Sequence, residues 1–562
     1  MSPRWVAATV PPAAAALTAA VGDSRLGRLL ALRGVTDAAQ AAAFLAPGRD
    51  QLHPPQLLLG LPEAAGRLAE ACRSGECVAV LGDYDVDGVS ATALLAAVLR
   101  RGGARVETFL GRRHEEGYGL HAVHARRARE RGAAVLVAVD CGTNSHAAAS
   151  AARSLGLDLV IVDHHLLEDG VPEHAILVNP RQPGDRYPFP ELAAVGLALK
   201  VALALLEALA LPVPWDALLR IACLGTIADV APLLGENRVI AALGLRALAD
   251  TPSPGLRALF EEAGLRPPLR ADDVAFRLAP RLNAAGRLGP ADPALELLLE
   301  REPGAARALA GRLGRLNRER QLLESRILAQ AREQIGESGS AHLGVAWSPD
   351  WNRGVVGIAA ARLVRELGHP VVLLAVEQEH ATGSGRSVPG IHLHDFLKPW
   401  TGRLVRFGGH AQAVGLTAEA RGLEALAREW REAASAWDPA VLEPVLRYDL
   451  ELAPAEVDES LLGQIERLEP FGAGNPEPLL RIGPLEPAGG VRRFGSGHGS
   501  RPLSGPGRSV PIEAYGWSWG DRLAVLAGRI EALACLERDR WRGGARLRLV
   551  DLRTPAPDAS AP

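Results

Sequence analysis

The chain has 562 residues, enough for three or four domains with separate cores, and 48% of them are apolar against 23% charged, the balance of a soluble globular protein. A formal charge of −3 at pH 7 excludes a cationic nucleic-acid coat, so any polyanion must meet local arginine patches. Lysine occurs only at Lys200 and Lys398, and Cys72, Cys77, Cys141, Cys223 and Cys535 lack metal-ligand spacing. Such scattered thiols suit a reducing cytoplasm better than a disulfide framework.

The N-terminal stretch MSPRWVAATVPPAAAALTAAVGD places one arginine before an apolar run that Pro11 and Pro12 interrupt, too weak a pattern for a signal peptide. Up to about Gly48 the chain is alanine-rich without evident chemistry. A helical pattern from Glu63 to Cys72 then leads into VAVLGDYDVDGVSAT, Val78 to Thr92. Its apolar run stops abruptly, Asp83, Asp85 and Asp87 alternate with Tyr84 and Val86, and good helix formers follow Gly88, which reads as strand, acidic loop, helix. Three carboxylates so close repel one another unless a cation neutralises them, and hard divalent ions choose such oxygen ligands. A solvated acidic turn capping the next helix is the plainer alternative.

Three helix-to-strand junctions follow, RRGGARVETFL, RERGAAVLVAVD and SLGLDLVIVD, with Gly103, Gly132 and Gly156 where left-handed helix caps belong. Helices alternating with short Val/Leu/Ile strands predict a parallel sheet covered on both faces, whose ligands bind beyond the strands' carboxyl ends. Asp140 ends one strand; Asp163, His164 and His165 end another, and the two consecutive histidines of an extended segment are expected to point to opposite sides. The apolar run from Ala193 contains Lys200 and Glu207, so a buried helix is expected rather than a membrane span. Asp229 lies in the otherwise apolar IACLGTIADVAPLL. Between residues 290 and 336, Leu309, Leu313, Leu316, Leu323, Ile327 and Ile335 recur at helical spacing, predicting one long amphipathic helix. A second α/β segment has strands at HLGVAWS and PVVLLAV, and from Arg447 short alternating runs predict a small all-β module. The strand expected after His498 is broken by Ser, Pro and Gly. The tail TPAPDASAP reads as disordered, and an end at Pro562 leads us to expect no further domain.

Asp83, Asp85, Asp87, Asp140, His164, His165 and Asp229 together can hold two cations, one carboxylate bridging. Such a pair stabilises the attacking and leaving oxygens of an in-line displacement at phosphorus. Mixed oxygen and imidazole donors admit Mn2+ as well as Mg2+.

GDYDVDGVSAT, VDCG at Val139, VDHH at Val162 and GTIADVAPL at Gly225 resemble the successive motifs of the DHH phosphoesterase superfamily and, within it, the bacterial RecJ-type single-strand-specific exonucleases. The likeness continues through APRLNAAGRLG, LNRERQ, GVVGIAAARL, GSGRS, FGGHAQAVG and LEPFGAGNPEP, covering about Gln51 to Arg553. The resemblance implies an α/β fold with an N-terminal segment (1–50) and a DHH parallel-sheet lobe (51–290). A long connecting helix (291–340) then leads to a DHH-associated α/β lobe (341–440), an all-β OB-fold (441–555) and a tail (556–562). It implies Asp85, Asp87, Asp140, His164 and Asp229 as ligands of two Mn2+ or Mg2+ ions, Asp140 bridging, with Asp83 ligating directly or from behind. Asp163 would orient the imidazoles, and His165 would hydrogen-bond the scissile phosphate. Arg113, Arg281 and Asn283, and in the second lobe Ser384, Arg386, Gly408, Gly409 and His410, become the substrate-binding candidates, because glycine admits close backbone approach and arginine grips phosphate with two parallel bonds.

The implied function is a cytoplasmic, monomeric 5′-to-3′ exonuclease that degrades single-stranded DNA to mononucleotides in recombination and repair. A helicase and a single-strand-binding protein would be its partners, with no membrane involved. The alternatives are a DHH phosphodiesterase acting on oligoribonucleotides or cyclic dinucleotides, and an inactive scaffold at the replication fork. Such enzymes are shorter and lack the LEPFGAGNPEP junction, whereas a scaffold loses the acids.

Overall fold

The computed structural model describes residues 3–112, 115–339, 342–540 and 543–554. Arg113 and the tail after Thr554 lie outside the described residues.

Five parallel strands form the first sheet, in the order Arg105–Leu110, Cys77–Gly82, Val135–Val139, Asp158–Val162, Ala175–Val178. Val135–Val139 and Cys77–Gly82 are buried along their whole length, as the unbroken apolar runs require of strands covered on both faces. Each fully buried Val, Leu or Ile contributes on the order of 1.5–3 kcal/mol. The crossovers leave Cys77–Gly82 in opposite directions, so the crevice where strand order reverses opens between its carboxyl end and that of Val135–Val139. Ligands of open α/β sheets bind at that position. Gly103, Gly132 and Gly156 have φ of 104°, 78° and 67°, the left-handed conformation that ends a helix at low cost.

Ala194–Ala208 is the buried helix expected from the apolar run; its Lys200 ammonium donates to Glu236, which also accepts from Tyr187 Oη at 2.6 Å and the His53 N–H at 2.7 Å. Among the described residues no helix is long and apolar enough to cross a membrane. All five cysteines are buried and free.

The recurring residues from Leu309 to Ile335 lie in one long helix as expected, Pro303–Glu337, but the start of the segment is a separate short helix, Asp292–Leu299. Pro303 cannot donate to a preceding turn, and Glu302 caps the new helix through the Gly304 and Ala305 N–H groups. The 35-residue second helix, about 50 Å long at 1.5 Å per residue, carries the chain to a five-stranded sheet. There Gly344–Ser348 pairs parallel with Val371–Glu377, followed antiparallel by His380–Arg386, Ala413–Glu419 and Leu404–His410 at the edge.

The C-terminal seven-stranded sheet curls so that its second strand, Leu480–Pro487, pairs with both Ile530–Arg538 and His498–Ser504. Contrary to the sequence expectation, His498–Ser504 is a continuous strand. Pro502 lies within it, and its carbonyl accepts from the Ala488 N–H at 2.9 Å. The described part of the N-terminal segment, residues 3–50, is also no separate appendage. Arg4–Ala7 pairs with Val445–Tyr448, and Leu17, Leu26, Leu29 and Leu30 share a core with Leu450, Leu480 and Leu547. Arg33 Nε then donates to Asn475 at 2.6 Å, and Arg238 of the first lobe reaches the carbonyls of Phe44 and Leu468 at 2.8 and 2.9 Å. The alanine-rich start hid this role because its partners lie more than 400 residues away.

Candidate metal centre and substrate cleft

Three neighbouring strands deliver acids to the crevice. Cys77–Gly82 runs into Asp83, Val135–Val139 into Asp140, and Asp158–Val162 into Asp163. Asp85 is the N-cap of helix Val86–Gly102, accepting from the N–H groups of Asp87 at 2.9 Å and Gly88 at 3.1 Å. So the helix cap read as the plain alternative is real, and it shares its residue with the cluster. Asp87 accepts from the Ala194 N–H at 2.7 Å and the Val195 N–H at 2.9 Å, the first turn of the buried helix, whose dipole favours negative charge. Asp229 terminates helix Trp215–Ala228. Asp140 sits at φ 61°, a sparsely populated conformation for a residue with a side chain, of the kind that clusters at functional sites.

The seven expected residues converge. Donor atoms of Asp83, Asp85 and Asp140 lie within 4.8 Å of one another, as do those of Asp87, His164 and Asp229, and those of Asp140, His164 and His165. Asp140 and His164 are each shared by two groups. The donor set is rich in carboxylate with added imidazole, which fits Mn2+ or Mg2+. The electrostatics fit as well. Burial, then the charges of Asp229 and Asp85, push the Asp87 carboxyl well above its ordinary range; burial and four neighbouring carboxylates, Asp85 first, do the same to Asp140. Asp229 is raised to about 7 by burial and Asp85. A cation among them would remove that cost.

The consecutive histidines do not diverge as expected. The strand ends at Val162, and both rings turn into the same cleft, their centroids 4.6 Å apart. Their states differ. Burial, then the neighbouring His165, lowers His164 to about 4, keeping it a neutral ligand. Burial opposes protonation of His165 too, but Asp163, 2.6 Å from its Nδ1, outweighs it and raises the pKa. Asp163 itself, although buried, is held well below the carboxylate range by His165 and by the Thr143 N–H at 3.0 Å.

Tyr118 was missed in the sequence. Its hydroxyl lies 3.0 and 3.1 Å from the two ring nitrogens of His165 and donates to the Asp140 carbonyl at 3.3 Å. The only signal was an aromatic residue in the polar loop HEEGYG. Two glycines also escaped notice. A Cβ on Gly225 would come within 2.7 Å of Asp87 Oδ1, and one on Gly286 within 2.6 Å of the Tyr84 carbonyl, so both let helices close onto the acidic loop.

Of the substrate candidates in the first lobe, Asn283 accepts from the Val86 N–H at 3.1 Å, bracing the acidic loop. Arg281 donates to the Arg277 carbonyl at 2.6 Å while its Nε is buried with no hydrogen-bond partner. In the second lobe the strands align the remaining candidates. Ser384, Gly415 and Gly408 form one rung across three strands, and Arg386, Ala413 and His410 the next. These side chains share one face. A Cβ on Gly408 or Gly415 would meet no atom within 4 Å, so the rung is open; Gly408, Gly409 and His410 are exposed. The first turn of helix Val356–Leu367 abuts it, for a Cβ on Gly357 would lie 3.1 Å from Ser384 Oγ. The lobes touch where Arg287 meets the Gly354 carbonyl at 3.4 Å.

Family models match in the same order: the N-terminal domain of the DHH family over residues 77–226, the DHHA1 domain over 340–436 and the RecJ OB domain over 448–550. The single-stranded-DNA-specific exonuclease RecJ of Escherichia coli is 36% identical over 81% of this chain and 82% of its own length. The chain belongs to the RecJ family. RecJ of Bacillus subtilis is 34% identical over 93% of this chain, which spans 66% of that relative. The crystal structure of RecJ with Mn2+ from Thermus thermophilus superposes with a TM-score of 0.83 at 31% identity, covering 99% of this chain and 80% of that one. The RecJ fold, with its DHH sheet, associated lobe and OB module, is therefore the fold expected from the sequence.

Proposed function

We propose that this RecJ-family chain is a metal-dependent exonuclease that degrades single-stranded DNA from the 5′ end, releasing 5′-mononucleotides. The observation that carries the reading is the overlap of three ligand groups through Asp140 and His164 at the sheet's crevice. In this reading Asp85, Asp87, Asp140, His164 and Asp229, with Asp83 beside them, would hold two Mn2+ or Mg2+ ions, Asp140 and His164 belonging to two donor groups each. When bound, the cations supply charge neutralisation at the attacking and leaving oxygens.

The chain's own groups do the rest. His165, held by Asp163 and Tyr118, donates a hydrogen bond to a non-bridging oxygen of the scissile phosphate and stabilises its developing charge. Arg386, Ser384, His410 and the backbone at Gly408 and Gly409 grip the terminal phosphate, which sets polarity because that phosphate occurs only at the 5′ end. Arg281 serves the strand beyond the reacting phosphate, and Asn283 keeps the acidic loop in register; Arg113, outside the described residues, is proposed as a further phosphate contact from the sequence alone. Access to a narrow cleft selects single strands. The chain would act as a cytoplasmic monomer in recombination and repair, on strands opened by a helicase and covered by a single-strand-binding protein. Every acid of the cluster is present, which weighs against the scaffold alternative, and the OB module weighs against a phosphodiesterase of dinucleotides.

Digestion of 5′- and 3′-labelled single and double strands with Mn2+, followed by chelation, tests this. Immediate release of mononucleotide from the 5′-labelled single strand, stopped by chelation, is expected. Release first from the 3′ label, or equal cleavage of duplex, would overturn it.

A further inference from the structure

The helices that carry the acidic cluster have a second feature at their other ends. Helix Val86–Gly102 begins beside Asp85 and Asp87, and helix Trp215–Ala228 ends at Asp229. The far half of the first and the near half of the second, with helices Pro254–Ala263 and Asp292–Leu299, enclose a groove of about 850 Å³. At 1.5 Å per residue its lining on the first helix, Ala93 to Arg101, runs from about 9 to about 21 Å from Asp87. Its floor is aliphatic, with Val98, Ile221, Leu256 and Leu299, and Arg100, Arg101, Arg220 and Arg301 line it as well. Arg100, Arg101 and Arg301 are exposed, and Ala97 leaves the floor open to solvent. Among the described residues none of the four arginines lies within 4.0 Å of a carboxylate; Arg100 and Arg220 reach only carbonyls, those of Val106 and Ala247, at 3.3 Å.

The chain as a whole carries a formal charge of −3, so this local excess of positive charge is not a property of the molecule at large. Arg220 feels the charge of Asp216, but the three exposed guanidinium groups of Arg100, Arg101 and Arg301 around an apolar trough complement a ligand that is both anionic and aliphatic. We propose that the groove docks an acidic peptide segment of a partner protein, with a bulky aliphatic side chain in the trough and its carboxylates on Arg101 and Arg301. A nucleic-acid strand would supply the anions, but single strands bind through base stacking on aromatic rings. No aromatic residue lines this groove. The docked segment lies on the back of the two helices that present Asp87 and Asp229, so a partner is tethered to the nuclease without covering its cleft.

A random decapeptide phage library panned against the full chain, with the Ala97→Trp chain as counter-selector, tests the proposal. Enriched peptides, made with a fluorescein label, are then measured by anisotropy. Sequences with two or more acidic residues beside Leu, Ile or Val are expected. Their affinity should fall at least tenfold in the R101E/R301E double variant and weaken with salt. Degradation of a naked dT oligonucleotide should be unchanged in both variants. Enrichment of peptides without acids, no enrichment over Ala97→Trp, or equal affinity in R101E/R301E would overturn it. Displacement of the peptide by dT oligonucleotide would assign the groove to the strand instead. A shift in sedimentation of the wild type that Ala97→Trp abolishes would assign it to a second copy of this chain.

Discussion

The two faces of the cleft are built on opposite plans. On the first lobe, parallel strand ends bring buried carboxylates together, and nearly every one is fixed by a backbone donor or a neighbouring side chain, as Asp87 is by Ala194 and Val195. On the second lobe, an edge strand presents exposed glycines, and Gly408 and Gly415 leave a rung with nothing above it. The first face concentrates negative charge that a cation would relieve; the second presents exposed glycines beside Arg386, which already donates to the Gly385 carbonyl at 2.8 Å. In the proposed function a phosphodiester with its metals would lie between the two, and the rigid face would carry the chemistry while the open one captures the strand.

That division makes kinetic predictions. Asp140→Ala should lower kcat by about 10²–10³-fold or more, with the circular dichroism spectrum unchanged; retained turnover would mean that the first face is only a capped acidic turn. Asp163→Asn should cost about 10- to 100-fold, the range seen when the group orienting a ligand imidazole is lost, read as a joint fall in Mn2+ affinity and kcat. Arg386→Ala should act on the other face. KM rises roughly tenfold, kcat holds, and the slope of log KM against log salt falls by about one phosphate contact; an unchanged slope would remove the second lobe from substrate capture. The smallest effect belongs to the OB module. Trp517, 56% exposed and edge-on to Phe494 and His498, should when changed to Ala weaken binding of long strands by about 1 kcal/mol, the low end for one stacked base, leaving short oligonucleotides untouched.

The first face was legible in the sequence because its physics is local. A buried strand that stops at an acid, three times over, announces a crevice full of carboxylates before any coordinates exist. The shared direction of His164 and His165 was not legible, because it depends on the strand ending at Val162 and not on residue parity. The second face was half legible. GSGRS and FGGH marked glycine and arginine, but the rung that aligns Ser384 with Gly408 is a matter of register between strands some 30 residues apart. Asn283 illustrates the remaining difficulty. A polar residue near a phosphate site reads as a ligand for substrate, and here it holds the Val86 N–H. The role of residues 1–50 was hidden for a different reason, since alanine and leucine say only that something is covered and not what.

The central claim is that the crevice of the first sheet holds a pair of cations through Asp140 and His164. Equilibrium Mn2+ binding to the purified chain, counted by electron paramagnetic resonance of the free ion, tests it most directly. The account predicts two ions bound per wild-type chain, and fewer in Asp140→Ala. A wild-type chain that binds none, or an Asp140→Ala chain that binds as many, would contradict it.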